Sequence, residues 1–174
     1  MPRLNRLVAF AALATLAACA PAGAPRLTDA HRAAIADSVR ELANTMAAAV
    51  RVHGYRGFNT EMDSAPGYLW AYNGMLPFAS FDSMAAWTRS EPEAATREVF
   101  AWDTLRIQVI APGVAGFAAG YSETRPDSTG TPRTEKGIFT AVAVHRAGGW
   151  KFTTAHTSTL PPPPPPAPVR KGRK

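Results

Sequence analysis

Residues 100–122 read FAWDTLRIQVIAPGVAGFAAGYS, and the alternation within them decides the fold. Phe100 and Trp102 stand in one phase; Leu105, Ile107 and Val109 stand in the opposite one. Apolar residues at every second position mark a half-buried strand. A strand that changes phase turns its buried face to solvent unless one extra residue is inserted. The switch therefore predicts a β-bulge near Asp103–Thr104 that bends the strand. Pro112-Gly113 turns the chain, and Val114 to Ser122, rich in Gly and Ala, is the next strand.

Downstream, residues 125–137 (RPDSTGTPRTEKG) are polar and read as a loop. Ile138 to Arg146 is a third strand, and Ala147-Gly148-Gly149 make a tight turn into a fourth, Trp150 to Ser158. The period of two places Trp150, Phe152, Thr154, His156 and Ser158 on one face of that last strand. Upstream, Ile35, Val39, Leu42, Met46 and Val50 recur at helical spacing, with Arg32, Asp37, Arg40 and Glu41 mostly off the stripe. The spacing predicts a helix from Asp29 to Val52, with Thr28 as N-cap and Gly54 as its stop. Between these parts, Tyr68–Tyr72 reads as a short strand and Phe81–Arg89 as a short helix. One long helix followed by a bent antiparallel sheet makes the fold class α+β.

Trp102-Asp103, Leu105 to Val109, Ala115 to Tyr121, Gly137 to Val144, and Gly149-Trp150-Lys151-Phe152 leading to His156-Thr157-Ser158 follow one another behind a single amphipathic helix. In that order they resemble the SnoaL-like branch of the nuclear transport factor two-like superfamily, over about residues 28–160. The resemblance implies a cone: a strongly curved antiparallel sheet wrapped around the long N-terminal helix and short helices, a cystatin-like α+β barrel with a cavity opening between them. It also implies a possible homodimer through the open sheet face. Members include isomerases, dehydratases, polyketide cyclases and many proteins without known catalysis, so the fold does not decide the function. Relatives often carry a second histidine two residues before the last one; here that position is Thr154.

Within such a cone the expected ligand pocket comprises Trp70, Trp102, Tyr121, Phe139, Trp150, Phe152, His156 and Ser158. Several aromatic rings around one cavity suit a flat apolar molecule. His156 is the candidate catalytic residue, since an imidazole can take or give a proton near neutral pH. The alternative is a structural histidine bonded to a backbone carbonyl or to Ser158. Asp63, Asp82 and Asp103 are the carboxylates near pocket-forming segments; Asp103 beside Arg106 reads as solvated or ion-paired rather than as a base. His31, His53 and His145 show no ligand spacing, so no metal site is expected. No cofactor is expected either, because no nucleophile elbow, phosphate loop, dinucleotide fingerprint or Cys–His pair is present.

The ends speak about location. Arg3 and Arg6 precede the apolar run Leu7 to Leu16 (LVAFAALATL), too short to span a bilayer. Leu16-Ala17-Ala18-Cys19 follows and resembles the lipobox of bacterial lipoproteins. Cys19 is the only cysteine, so it has no disulfide partner, whereas a lipobox needs its thiol to carry lipid. The expectation is a signal peptide over 1–18, lipidation at Cys19 by diacylglycerol and palmitate, and a tether over 19–27 that holds the protein to a membrane. Ala20 is not the aspartate that resembles an inner-membrane retention signal. That favours the outer membrane facing the periplasm, if the host has one.

The net charge of +6 invites a nucleic-acid reading, but it sits in the wrong places. Removing residues 1–18 takes Arg3 and Arg6 from the 19 basic residues, leaving 17 against 13 acidic ones. Four of those 17 are Arg170, Lys171, Arg173 and Lys174. Residues 19–169 are thus neutral overall, without the electrostatic footprint a polyanion needs, and nucleic acid is excluded as a partner of the domain. Residues 161–174 form a proline-rich tail with a basic end, a stiff polyproline spacer of roughly 3 Å per residue. The residues support an envelope lipoprotein whose domain over 28–160 binds a small, mostly apolar ligand or a protein partner. An isomerase or cyclase using His156 with a carboxylate, and a purely structural interaction module, stand as the rivals.

Overall fold

A computed structural model describes residues 27–91 and 99–161. The expected signal peptide, Cys19, residues 19–26 of the tether and residues 162–174 of the tail lie outside the described residues.

Helix α1 spans Asp29–His53. The Thr28 side chain accepts a hydrogen bond from the His31 amide at 3.2 Å, satisfying an amide that the first turn leaves without an intrahelical partner. Gly54, at a φ of 58°, ends the helix in backbone that favours glycine. Val39, Leu42, Ala43, Met46, Ala47 and Val50 are its buried stripe. A 3₁₀ helix, Gly54–Thr60, folds back at once against the end of α1. A Cβ on Gly57 would lie 2.3 Å from the backbone carbon of Ala49, so only glycine permits that approach. Among the described residues, no helix is long and apolar enough to cross a membrane.

Six strands follow: β1 Leu69–Tyr72, β2 Met75–Phe78, β3 Val99–Ala111, β4 Val114–Pro126, β5 Pro132–Arg146 and β6 Gly149–Thr159, with helix α2, Phe81–Ser90, between β2 and β3. The sheet order is β2-β1-β6-β5-β4-β3. Neighbours pair antiparallel except β1 and β6, which run parallel. The sheet is therefore mixed rather than wholly antiparallel, because β1 joins it beside the last strand and in the same direction. The short strand β2 is not apparent from its apolar pattern. It pairs with β1 through a tight turn at Asn73-Gly74, where φ is 47° and 79°. The stretch 125–137, expected as a loop, is mostly strand: β4 runs to Pro126, and β5 starts at Pro132.

Two of the register shifts in the sheet decide which residues face the core. On β3 the register shifts between Asp103 and Arg106, with Thr104 at a φ of 41°, where the phase switch predicts it. On β6 a second shift sets Val142 opposite Thr154 but Ala143 opposite Phe152, so Thr153 is the extra residue. α1 lies along the edge strand β3 in the opposite sense. Arg32 Nη1 donates to the Val109 carbonyl at 3.1 Å, Trp102 Nε1 to the Ala43 carbonyl at 2.7 Å, and Arg51 Nη1 to the Phe100 carbonyl at 3.0 Å. The stripe of α1 and the inner face of β3–β6 enclose one core, in which Val39, Met46, Val50 and Phe152 are fully buried.

Candidate ligand-binding cavity

One end of the core is hollow. Between the 3₁₀ helix, β1, β2, α2 and the sheet lies a cavity of about 330 Å³. Its walls are Tyr55, Phe58, Trp70, Tyr72, Phe78, Trp87, Phe100, Tyr121 and Phe139, with Met75 and Pro77 at the edge strand. The rings support one another: Phe58 meets Trp70 and Phe100 edge-on at 5.3 and 5.8 Å, and Tyr55 and Phe78 flank Trp87 at 4.9 and 5.2 Å. This is the size and lining of a small-molecule site.

The polar groups of the cavity come from the extended ends of β4 and β5. Glu123 and Glu135 are direct cross-strand partners, as are Tyr121 with Gly137 and Arg125 with Arg133. The period of two turns Tyr121, Glu123 and Arg125 inward together, and all three line the cavity with Glu135. The Tyr55 hydroxyl donates to Glu123 Oε1 at 2.8 Å and accepts from Arg125 Nη1 at 2.6 Å, while Arg125 Nε lies 3.9 Å from Glu123 Oε1. Glu135, on the facing strand, accepts at Oε1 from the Tyr121 and Tyr72 hydroxyls, at 3.2 and 3.4 Å. Deeper, Trp70 Nε1 donates to Thr157 Oγ1 at 2.8 Å. Burial, and then the negative charge of Glu135, push the Tyr121 and Tyr72 hydroxyls above the usual phenol range, so both stay protonated donors.

Of the expected pocket residues, Trp70, Tyr121 and Phe139 line the cavity. Trp102 instead ties β3 to α1, and Phe152 is fully buried between Phe117 and Phe139, at ring distances of 5.2 and 5.8 Å. Trp150 sits half-buried at the start of β6, edge-on to His145 at 5.4 Å. His156 and Ser158, expected on the same face as Phe152, lie on the opposite one. The extra residue Thr153 flips the strand, so Ala155 and Thr157 are buried while His156 is exposed. His156 pairs across the sheet with Thr140 and Ala71, away from the cavity carboxylates.

None of the three aspartates named from the sequence lines the cavity. Asp63 is buried and bonded to Arg146 Nε and Nη2 at 2.9 and 2.6 Å. Burial raises its carboxyl, but Arg146 and the Ala65 amide outweigh this and hold it below the usual carboxylate range. Asp82 is exposed in the first turn of α2, and Asp103 is exposed beside the bulge, accepting from Thr104 Oγ1 at 2.9 Å. Arg125 and Glu135 fall within the polar stretch that reads as a loop, and Glu123 lies just past the strand read over Val114 to Ser122. Once the strands are known to extend, the 121-123-125 spacing marks them.

No protein-family model matches the chain, and no curated protein matches it in sequence. Solved structures do. A hexachlorocyclohexane dehydrochlorinase, LinA-type3, from Novosphingobium barchaimii superposes with a TM-score of 0.62 at 11% identity, covering 77% of this chain and 92% of that one. A nuclear transport factor 2-like superfamily protein from Salmonella enterica gives 0.62 at 12%, covering 82% and 99%. The CaMKII hub of S. rosetta gives 0.59 at 19%, covering 71% and 95%. The chain has the α+β, cystatin-like fold of nuclear transport factor two-like proteins, as the sequence resemblance implied.

Proposed function

We propose that the protein is an envelope lipoprotein, anchored by lipid on Cys19, whose SnoaL-like domain binds a small, mostly apolar molecule with one polar end. The single observation that carries the binding reading is the aromatic cavity of about 330 Å³ with its polar groups gathered on β4 and β5. Apolar walls supply affinity by burying ligand surface, and a few convergent polar groups fix orientation. The lipid anchor rests on the Leu16-Ala17-Ala18-Cys19 motif behind its apolar run.

Of the four tryptophans, Trp70 and Trp87 line the cavity and Trp102 and Trp150 do not. An apolar brominated aromatic probe should therefore quench the protein's fluorescence saturably. The quenching should persist in a Trp102→Phe/Trp150→Phe variant. Quenching that does not saturate, or that vanishes in that variant, contradicts binding in this cavity.

A second reading, an isomerase- or cyclase-type enzyme, is favoured by the carboxylates and phenols that meet inside the cavity. Among the structural neighbours is a dehydrochlorinase by name. In this reading the base is Glu123 or Glu135 and the hydroxyls of Tyr55, Tyr72 or Tyr121 stabilise a developing oxyanion. His156, exposed on the outer face, takes no part. Turnover of a bound ligand that is lost in Glu123→Gln or in Glu135→Gln would establish it and name the base.

A further inference from the structure

The two cavity carboxylates face each other across β4 and β5, yet their charges are answered differently. Glu123 shares the Tyr55 hydroxyl with Arg125 and has the guanidinium within 3.9 Å. Glu135 makes no ion pair among the described residues. Its donors are two neutral phenols, both on Oε1, and no donor reaches Oε2 among the described residues. Like charges directly opposite in an antiparallel pair repel, and one cation on Arg125 does not balance two carboxylates lining the cavity. Among the described residues the cavity is thus lined by two carboxylates and one guanidinium, beside aromatic rings whose faces attract cations.

We infer that the polar end of the ligand is an organic cation, an amine or quaternary ammonium on an apolar body, with its nitrogen seated at Glu135 between the Tyr72 and Tyr121 rings. The inference rests on the reading of the cavity as a binding site and adds the chemical class of the occupant. The raised proton affinity of both phenols, owed first to burial and then to the Glu135 charge, agrees with a negative field at that point. A ligand with an anionic end would instead place a third negative charge beside two carboxylates.

Two isosteric probes separate charge from shape: phenyltrimethylammonium and its neutral analogue tert-butylbenzene. Both are titrated calorimetrically into the purified full chain and into Glu135→Gln, which keeps the side-chain shape and removes the charge. The expected result is binding of the cation about tenfold or more tighter than the hydrocarbon in the wild type, reduced to near parity in Glu135→Gln. Unchanged binding of the hydrocarbon by the variant would show that its cavity is intact. Equal or tighter binding of the hydrocarbon by the wild type, or a cation preference that survives Glu135→Gln, overturns the inference while the cavity reading stands. Binding of neither probe overturns both.

Discussion

The ring of Tyr121 occupies the space where a side chain on its cross-strand partner Gly137 would be. A Cβ at Gly137 would lie 2.5 Å from Tyr121 Cε1 and 2.2 Å from the Ser158 carbonyl oxygen. The missing side chain lets the phenol lie over β5 and bring its hydroxyl 3.2 Å from Glu135 Oε1. One glycine thus sets the polar geometry of the cavity. Gly137→Ala should destabilise the protein by about 1–3 kcal/mol and weaken ligand binding, as overpacking displaces the ring. Thermal unfolding together with probe titration measures both effects.

Of the two neighbouring residues on β6, only Thr157 should be sensitive to substitution. Thr157 accepts the Trp70 indole N–H inside the cavity, so Thr157→Val leaves a buried donor without its partner and should cost about 1–3 kcal/mol. His156 is exposed on the outer face, and His156→Ala should change stability by no more than about 0.5 kcal/mol and leave ligand binding unaltered. Chemical denaturation and titration of the two variants check the pair. A His156→Ala variant that lost binding would contradict the assigned face.

The contrast between these residues also explains what the sequence could reveal. The bulge at Asp103–Thr104 is legible because large apolar residues stand on both sides of it, first at Phe100 and Trp102, then at Leu105, Ile107 and Val109. The bulge at Thr153 is not. After Phe152 the strand offers Thr154, His156 and Ser158 in one phase and Ala155, Thr157 and Thr159 in the other, and small or polar residues on both faces carry no phase signal. Strand ends 123–126 and 132–136 were hidden for a related reason. Their inward residues are the polar groups of the cavity, so the hydrophobic alternation that betrays a strand elsewhere is absent there.

Asp63 predicts an acid sensitivity. Its folded carboxyl is held below its ordinary value of 3.8, so the unfolded chain binds the proton more readily. The stabilisation is complete above that ordinary value and is lost as pH falls through the folded one. Asp63→Asn should lower stability at neutral pH by about 1–3 kcal/mol, since its bonds to Arg146 lose their charge. The gap between variant and wild type should narrow below about pH 4, where the wild-type carboxyl takes up its proton. Denaturation curves collected from pH 7 to pH 3 provide the comparison.

Anchoring is tested at Cys19. In the original host, labelled palmitate should enter the protein, and Cys19→Ser should abolish both labelling and membrane sedimentation. A Cys19→Ser chain that still sediments with membranes after a salt wash would exclude the lipid as the anchor.

The central claim, that the cavity between the 3₁₀ helix and the sheet holds a ligand, is tested most directly by native mass spectrometry of the full chain isolated from the host's membranes. The account predicts a reproducible extra mass, released on gentle activation and reduced in Gly137→Ala. A chain that carries no such mass, and takes up none from a panel of apolar and cationic metabolites, would contradict it.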